Sequence, residues 1–205
     1  MVPCRRRRAR WGIVPGPLAR GVDHRANGGS GRQVAGALCL SSRRDRLGWL
    51  TCGVELEQCR AVDVEALTAF LSEVDLTLSG LDAPSVRLWI ERDESGAIVG
   101  STGYEISSDG RHVLIRSVAV SPTQRSRGRG SALASFALER AVEEGAMRAW
   151  LFSRRSGPFW QSLGFESADR DELAEALADT HQVRLFQQTR QLGREVAWSR
   201  PLAAS

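Results

Sequence analysis

A glycine-containing basic loop is the part of the sequence best suited to hold a phosphate group. Residues 125–130 read RSRGRG. Glycines in such a loop permit left-handed backbone angles and let a ligand approach the main chain closely. Arginine side chains add charge-assisted hydrogen bonds to phosphate oxygens. The same composition also suits a flexible tract that coats nucleic acid, so the neighbouring residues decide between the two.

Two regular elements flank this loop and favour the phosphate-binding alternative. The nearly continuous apolar run HVLIRSVAV at 112–120 predicts a buried strand that ends before Pro122. After the loop, apolar residues recur at helical spacing over 129–144, and Gly145 is a natural stop. A strand, a glycine turn and a helix in this order direct backbone N–H groups at one point, the positive end of the helix dipole. A disordered tract needs neither flanking element.

The segment VAVSPTQRSRGRGSALASFALERA resembles the acetyl-CoA-binding motif of the GNAT superfamily of N-acetyltransferases. The family signature R/Q-x-x-G-x-G/A is matched by residues 125–130, and FWQSLGF at 159–165 stands where the family places it. The likeness covers about residues 54–200. It implies a mixed α/β fold in a single domain, with a central, mostly antiparallel sheet whose splayed central strands are flanked by helices. It also implies an acetyl-CoA-dependent N-acetyltransferase that needs no metal.

The resemblance assigns the co-substrate to the loop and to the strand before it. Backbone groups of Val118, Ala119 and Val120 would pair with the pantetheine arm like an added strand. Backbone N–H groups of the loop and the first helical turn, with one arginine side chain, would hold the pyrophosphate, and the thioester would lie where the strands at 112–120 and 147–152 splay apart. The cofactor-binding residues predicted in the loop are Arg125, Arg127, Gly128, Arg129, Gly130 and Ser131.

One position departs from the family pattern. Many members protonate the departing thiolate from a tyrosine in an F-Y-x-x-L-G-F helix, whereas this chain has Trp160, which cannot act as an acid. Because a thiol has a pKa near ~8.5, thiolate is a fair leaving group without an acid. Solvent, Ser156 or the substrate's own ammonium proton could replace the tyrosine, and Tyr104 is a weaker alternative. A fold that binds acyl-CoA without catalysis is a second hypothesis.

An acid and a base are predicted side by side on the two strands before the loop. If Asp-Gly at 109–110 forms a two-residue turn, Gly103 faces Arg116 and Glu105 faces Leu114. Glu105 and Arg116 are then diagonal neighbours on one face, with space left by Gly103. We predict them as the catalytic residues, because such a pair can receive the amine and carboxylate of an amino-acid-like substrate. The alternative is a mutual ion pair that faces solvent.

Two longer segments suggest a subfamily. GYE…LIRSVAVSP and FWQSLGFESADRDELAEAL resemble the small amino-acid acetyltransferases and the acetyltransferases encoded with arsenic-resistance genes. Many of these have a proline after the leucine of DEL, where this chain has Ala174. The expected acceptor is therefore a small-molecule amine, in agreement with the predicted acid–base pair.

The elements that position these residues follow from hydrophobic periodicity. VELEQCR at 54–60 alternates like an edge strand, and Asp63 is a plausible N-cap of a helix whose apolar residues share one face. Further strands are predicted at 86–92, 97–107, 112–120, 147–152 and 194–200, and helices at 63–74, 129–144, 156–165 and 170–180.

Charge divides the chain into two regions. Residues 1–52 contain 11 arginines against two acids, whereas residues 53–205 contain 17 arginines against 22 acids. We predict that 1–52 is a basic, disordered extension and that 53–202 is the acetyltransferase domain. The extension could be an arm for nucleic acid or a membrane surface, a targeting peptide, or a tail without function, which we favour. The acidic balance of the domain makes nucleic acid an unexpected partner for it.

Composition bounds the remaining functional classes. No stretch approaches the ~20 apolar residues that span a membrane, so we expect no membrane insertion. The four cysteines form no C-x-x-C pair, which favours reduced thiols in the cytoplasm, and a three-thiol metal site from Cys39, Cys52 and Cys59 is a weaker alternative. The sequence is compatible with a homodimer but does not determine the oligomeric state.

Overall fold

A computed structural model describes residues 49–51, 54–126 and 128–202. Within them the helices are α1 (Val64–Glu73), α2 (Arg129–Glu143), α3 (Gly157–Ser162), α4 (Arg170–Ala176) and α5 (His181–Gln188). The strands are β1 (Trp49–Thr51), β2 (Val54–Gln58), β3 (Val86–Arg92), β4 (Ile98–Ile106), β5 (His112–Val120), β6 (Arg148–Phe152), β7 (Glu166–Ala168) and β8 (Ala197–Pro201). They form a sheet in the order β1-β2-β3-β4-β5-β6-β8-β7.

The sheet is antiparallel except at its centre. β5 and β6 are parallel because α2 connects them as a crossover, whereas the other neighbouring strands are antiparallel. This arrangement confirms the predicted mixed α/β fold with a mostly antiparallel sheet. It also places the loop at 121–128 between a central strand, β5, and the helix α2.

Helices cover both faces of the sheet. On one face α2 packs its buried residues, Phe136 among them, against Tyr104, Val113 and Ile115. The other face carries α1, which packs on β3, and the helices α4 and α5, which pack on Leu114 and Trp150. Since successive strand residues point to opposite faces, Val113 and Leu114 belong to different cores. The central strands are therefore buried on both sides, which explains the nearly continuous apolar run of β5.

Most predicted elements are present, and three observed ones were not predicted. β3 and β5 have the predicted bounds, and α2 ends one residue before the predicted position. The strands β1 and β7 and the helix α5 had no sequence prediction, and β2 is not an edge strand because β1 pairs with it. Residues 1–48 lie outside the described residues, so the prediction of a disordered extension stays a prediction.

Candidate active site

The central parallel pair of strands opens partway along its length. β5 and β6 pair at His112–Arg148, Val113–Ala149 and Leu114–Trp150, and no later residue of β5 is paired with β6 within the described chain. β5 nevertheless continues to Val120. Its edge from residue 115 onward therefore presents backbone N–H and C=O groups that can accept an added extended chain. The predicted pantetheine-binding residues 118–120 lie on this edge, and the splay itself is confirmed.

A β-bulge lies at the start of this open edge. Ser117 has a φ of +58°, and the register between β4 and β5 shifts so that Ser117 and Val118 together oppose Thr102. The Ser101 hydroxyl donates to the Ser117 carbonyl at 2.6 Å. A non-glycine residue in this conformation costs roughly 1–2 kcal/mol, and bulges of this kind occur beside active sites, where they redirect a strand. No signal in the alternation of residues 112–120 predicted it.

The loop after β5 ends in a glycine that the backbone requires. Gly128 is the N-cap of α2 with a φ of +88°, and a Cβ atom added there would meet no heavy atom of the described residues within 4 Å. The angle, and not a lack of space, therefore demands glycine. Gly130 and Ser131 follow in the first turn of α2, where backbone N–H groups have no intrahelical acceptor. This combination of an open cradle and free N–H groups suits an anion such as a pyrophosphate.

The arginines of the loop do not behave alike. Arg125 is exposed, and Arg127 lies outside the described residues, so its predicted role stays a prediction. The guanidinium of Arg129 instead binds the carboxylate of Glu91 through two contacts, Nε–Oε2 at 3.0 Å and Nη2–Oε1 at 2.6 Å. The backbone N–H of Arg129 donates to the Ser126 carbonyl at 3.3 Å. Both hydrogen-bonding parts of Arg129 thus have partners within the protein.

The predicted register of the acid–base pair is confirmed. Gly103 pairs with Arg116 and Glu105 pairs with Leu114, and Arg116 Nη1 lies 3.1 Å from Glu105 Oε2. The two side chains thus form the mutual ion pair of the alternative interpretation, but they are 2% and 0% exposed, so the pair does not face solvent as that alternative expected. The space expected beside Gly103 is also filled, since a Cβ atom there would lie 2.1 Å from the Arg87 carbonyl oxygen.

A helix that the sequence analysis missed completes the surroundings of Glu105. The Glu105 Oε1 atom accepts hydrogen bonds from the His181 backbone N–H at 2.7 Å, from His181 Nδ1 at 2.6 Å and from the Ser85 hydroxyl at 3.3 Å. His181 is the first residue of α5. Because Glu105 is negatively charged, it complements the positive end of the α5 dipole. The carboxylate thereby joins β4 to α5 and to the segment before β3.

The guanidinium of Arg116 is buried in the same network. Its Nη2 donates to the Ser79 carbonyl, and its Nε has no hydrogen-bond partner within the described residues. Burial lowers the pKa of Arg116, and the charge of Glu105 opposes that effect. The pair is therefore brought together as predicted, but both groups are closed off from solvent. Their assignment as catalytic residues stays a prediction.

Trp160, at the position of the family tyrosine, and Tyr104, the weaker candidate acid, differ in their surroundings. Trp160 lies in α3, is 8% exposed, and packs edge-on against Phe159 and Phe165 at ring distances of 4.9 and 5.4 Å. Tyr104 is fully buried on the α2 face of the sheet, opposite to Glu105, where it contacts Trp89. Burial and the negative charge of Glu144 raise the pKa of Tyr104 above its ordinary value. This enclosure argues against proton transfer from Tyr104 to a substrate.

The described residues include neither a metal-binding cluster nor a membrane-spanning helix. Among the residues that the structure describes, no group of three or more His, Cys, Asp or Glu side chains is arranged to hold a metal ion. Of the three cysteines of the alternative metal site, only Cys59 has a described side chain. No helix of the described part of the chain is long and apolar enough to cross a membrane.

Comparison with known families identifies the class of protein. Residues 54–165 match the model of the acetyltransferase (GNAT) family, which is more than half of the chain. The chain therefore belongs to this family. A search of curated proteins finds no significant match. The family match covers the sheet from β2 to β6, the glycine loop, α2 and α3.

Solved structures share the fold. An acetyltransferase of the GNAT family from Staphylococcus aureus Mu50 superimposes with a TM-score of 0.58 at 14% identity, over 73% of this chain and 99% of that chain. The N-acetylglutamate synthase from Neisseria gonorrhoeae, complexed with coenzyme A and N-acetyl-glutamate, gives a TM-score of 0.57 at 22% identity over 73% of this chain. This chain spans 35% of the length of that synthase. Rv2747 from Mycobacterium tuberculosis, in complex with CoA, gives 0.55 at 20% identity over 72% and 99% of the two chains.

Proposed function

We propose that the protein transfers the acetyl group of acetyl-CoA to the amine of a small, amino-acid-like substrate. The observation that carries this proposal is the open edge of β5, which runs into the Gly128 turn and the N-terminus of α2. An unpaired strand edge and a helix N-terminus in succession match a molecule with an amide-containing arm that ends in phosphates. The CoA-bound structures that share this fold support the same assignment.

The residues proposed to hold acetyl-CoA fall into two groups. Backbone groups of Val118, Ala119 and Val120 would bind the pantetheine amides, because this edge of β5 has no strand partner among the described residues. The backbone N–H groups of Gly128, Gly130 and Ser131 would bind the pyrophosphate, with the exposed Arg125 side chain beside it. Acetyl-CoA would supply the activated acetyl group as a thioester.

The reaction needs few groups from the protein. The neutral amine nitrogen attacks the thioester carbon, the C–N bond forms and the C–S bond breaks, and the thiolate leaves with the electron pair. The amine loses one proton, and the thiolate takes one up. Backbone N–H groups on the open β5 edge would stabilise negative charge on the carbonyl oxygen, which is the largest contribution a fixed site can make to such a step.

We further propose that Glu105 and Arg116 serve the acceptor side of this reaction. Arg116 lies one residue before the bulge, and its buried Nε is a donor without a partner among the described residues. A substrate carboxylate that reached this donor would be held by a charged hydrogen bond. Glu105 would keep the guanidinium in place, and through His181 it would hold the start of α5 against the sheet.

An acceptor screen tests the proposal. Acetyl-CoA is mixed with single amino acids and, as matched controls, with the corresponding amino-acid amides, and acetylated product is measured by mass spectrometry. We expect product with at least one amino acid and less product with its amide, because the amide lacks the carboxylate. Equal rates for both would exclude carboxylate recognition. CoA binding without product from any amine would instead indicate a fold that binds acyl-CoA without catalysis.

We propose that the enzyme acts in the cytoplasm, that residues 53–202 carry the activity, and that its acceptor resembles those of the small amino-acid acetyltransferases. The basic extension is the basis of the alternative, binding of nucleic acid. DNA binding by the full chain that weakens steeply with salt would favour that alternative, because phosphate contacts release counterions. Sedimentation of the full chain would decide whether it is a homodimer.

A further inference from the structure

A buried ion pair joins the start of α2 to the sheet. Arg129 is the first residue of α2 and follows Gly128 directly. Its guanidinium binds both carboxylate oxygens of Glu91 on β3, at 3.0 and 2.6 Å. The Glu91 side chain is 7% exposed and that of Arg129 is 21% exposed. A two-contact arginine–carboxylate pair fixes orientation as well as distance, because both groups are planar.

The carboxylate reaches Arg129 across a glycine. Glu91 pairs in register with Gly100 on β4, and Gly100 pairs with Val120 on β5. A Cβ atom on Gly100 would lie 2.7 Å from Glu91 Oε2 and 3.3 Å from Glu91 Cβ. Because glycine has no side chain, position 100 leaves room for the Glu91 side chain. The ion pair is seated on the sheet next to the last residue of β5.

The charges of the pair depend on each other. A cation in the first turn of a helix is disfavoured by the helix dipole, and Glu91 offsets this by its negative charge. A buried carboxylate without a partner would in turn be strongly destabilising. Each group therefore holds the other in one geometry, and the backbone of Arg129 is fixed with its side chain. The positions of the N–H groups of the next two residues, Gly130 and Ser131, are fixed as a consequence.

We propose that Glu91 is a positioning residue for CoA. Through Arg129 it sets the direction in which α2 leaves the Gly128 turn, and so it holds the backbone N–H groups of Gly130 and Ser131 toward the pyrophosphate. This inference rests on the proposed function. In this proposal the Arg129 side chain attaches α2 to the sheet. Its neighbours in the chain, and not Arg129 itself, contact the phosphate.

Titration with CoA compares the wild-type protein with three variants of the full chain. Glu91→Gln, Arg129→Gln and the double variant each remove the charged pair. We expect each to raise the Kd of CoA about tenfold, and the double variant to be no worse than the single ones, because coupled residues are not additive. The KM of acetyl-CoA should rise in the same proportion as the Kd, and any fall in kcat should be smaller than that rise. If a single variant does not fold, the neutral double variant supplies the same test.

A matched control separates positioning from general stability. Glu57→Gln removes another ion pair of β3, with Arg92 at 2.6 Å, which does not include a residue of α2. It should leave the Kd of CoA unchanged. Hydrogen exchange without ligand gives a second measurement: Glu91→Gln should speed exchange of the amides at 128–132, and Glu57→Gln should not.

The outcomes distinguish the two levels of the argument. An unchanged Kd in Glu91→Gln, with wild-type binding intact, overturns the positioning role and leaves the proposed function standing. A lowered Kd would also overturn it, because an Arg129 side chain freed from Glu91 would then be binding phosphate itself. Absence of CoA binding by the wild-type protein would contradict the proposed function and, with it, this inference.

Discussion

Glu105 caps the start of α5 by accepting hydrogen bonds from His181, a residue that is distant from it in the sequence. Its Oε1 atom accepts hydrogen bonds from both the backbone N–H and the imidazole Nδ1 of His181, at 2.7 and 2.6 Å. Its Oε2 atom accepts from Arg116 at the same time. A single buried carboxylate therefore joins β4, β5 and α5. The acceptor side of the proposed active site depends on this one group for its charge balance and for its shape.

Loss of the Glu105 charge should destabilise the protein strongly. Glu105→Gln leaves the buried guanidinium of Arg116 without a counter-charge, and we expect the free energy of unfolding to fall by about 3 kcal/mol or more. Urea unfolding measures this change in the free energy of unfolding. The control is Glu143→Gln, which removes a surface pair with Arg140 from a side chain that is 56% exposed, and should cost less than about 1 kcal/mol. Equal losses in the two variants would contradict the buried network.

The left-handed angle of Gly128 should control CoA affinity. Alanine at a φ of +88° is strained by roughly 1–2 kcal/mol, so the loop would leave its binding conformation and the Kd of CoA would rise about tenfold. Asparagine tolerates this angle better and should have a smaller effect. Gly128→Glu adds a negative charge where phosphates would bind and should abolish measurable binding. Isothermal titration with CoA measures the Kd of each variant and so ranks the three substitutions.

The opposite end of the same helix supplies the control for Gly128. Gly145 has a φ of +91°, and a Cβ atom added there would also lie more than 4 Å from every heavy atom in the described part of the chain. Gly145→Ala should therefore lower stability by a similar amount and leave the Kd of CoA unchanged. A rise in Kd in this variant as large as in Gly128→Ala would show that strain anywhere in α2 affects binding, and would remove the case for a specific loop.

Tyr104 should make the protein less stable at high pH. Burial and the charge of Glu144 raise its pKa in the folded state, while the unfolded chain ionises near ~10. The folded state thus retains a proton that the unfolded state loses, and stability falls as the pH rises above about 10. Tyr104→Phe should reduce this loss, measured by urea unfolding between pH 8 and 11. Identical slopes for the two proteins would contradict the raised pKa.

The parts of the fold that were predictable are those with local causes. β3 and β5 were predicted with their bounds because their apolar runs are bounded by turn residues. The Asp-Gly turn at 109–110 gave the register, and the register placed Glu105 beside Arg116. Such features depend on residues that are near each other in the chain. The splay of the central strands came from the family resemblance, and nothing in the residue pattern alone indicates it.

The features that were missed depend on distant contacts. The N-cap of α5 is Thr180, whose hydroxyl donates to the Leu177 carbonyl at 2.7 Å. The carboxylate that accepts from the first N–H of α5 belongs to Glu105, 76 residues away, and no local pattern indicates it. The bulge at Ser117 interrupts a strand whose residues read as regular, because the second strand of the pair determines where the extra residue is accommodated. Arg129 reads as a phosphate ligand until Glu91, 38 residues earlier, is placed beside it.

The position of Trp160 offers a test of whether the proposed reaction uses a protein acid. Restoring the family residue with Trp160→Tyr would supply a hydroxyl in α3, and we expect kcat to rise about tenfold if thiolate protonation limits the rate. Trp160→Phe is the matched control, because it removes the same indole, which is 8% exposed and packed on Phe159 and Phe165, without adding a hydroxyl. Steady-state kinetics with the acceptor found in the screen gives both values. Both variants should lose comparable stability, since each leaves unfilled space in the same core. If tyrosine and phenylalanine give the same kcat, solvent or the substrate's own ammonium group provides the proton.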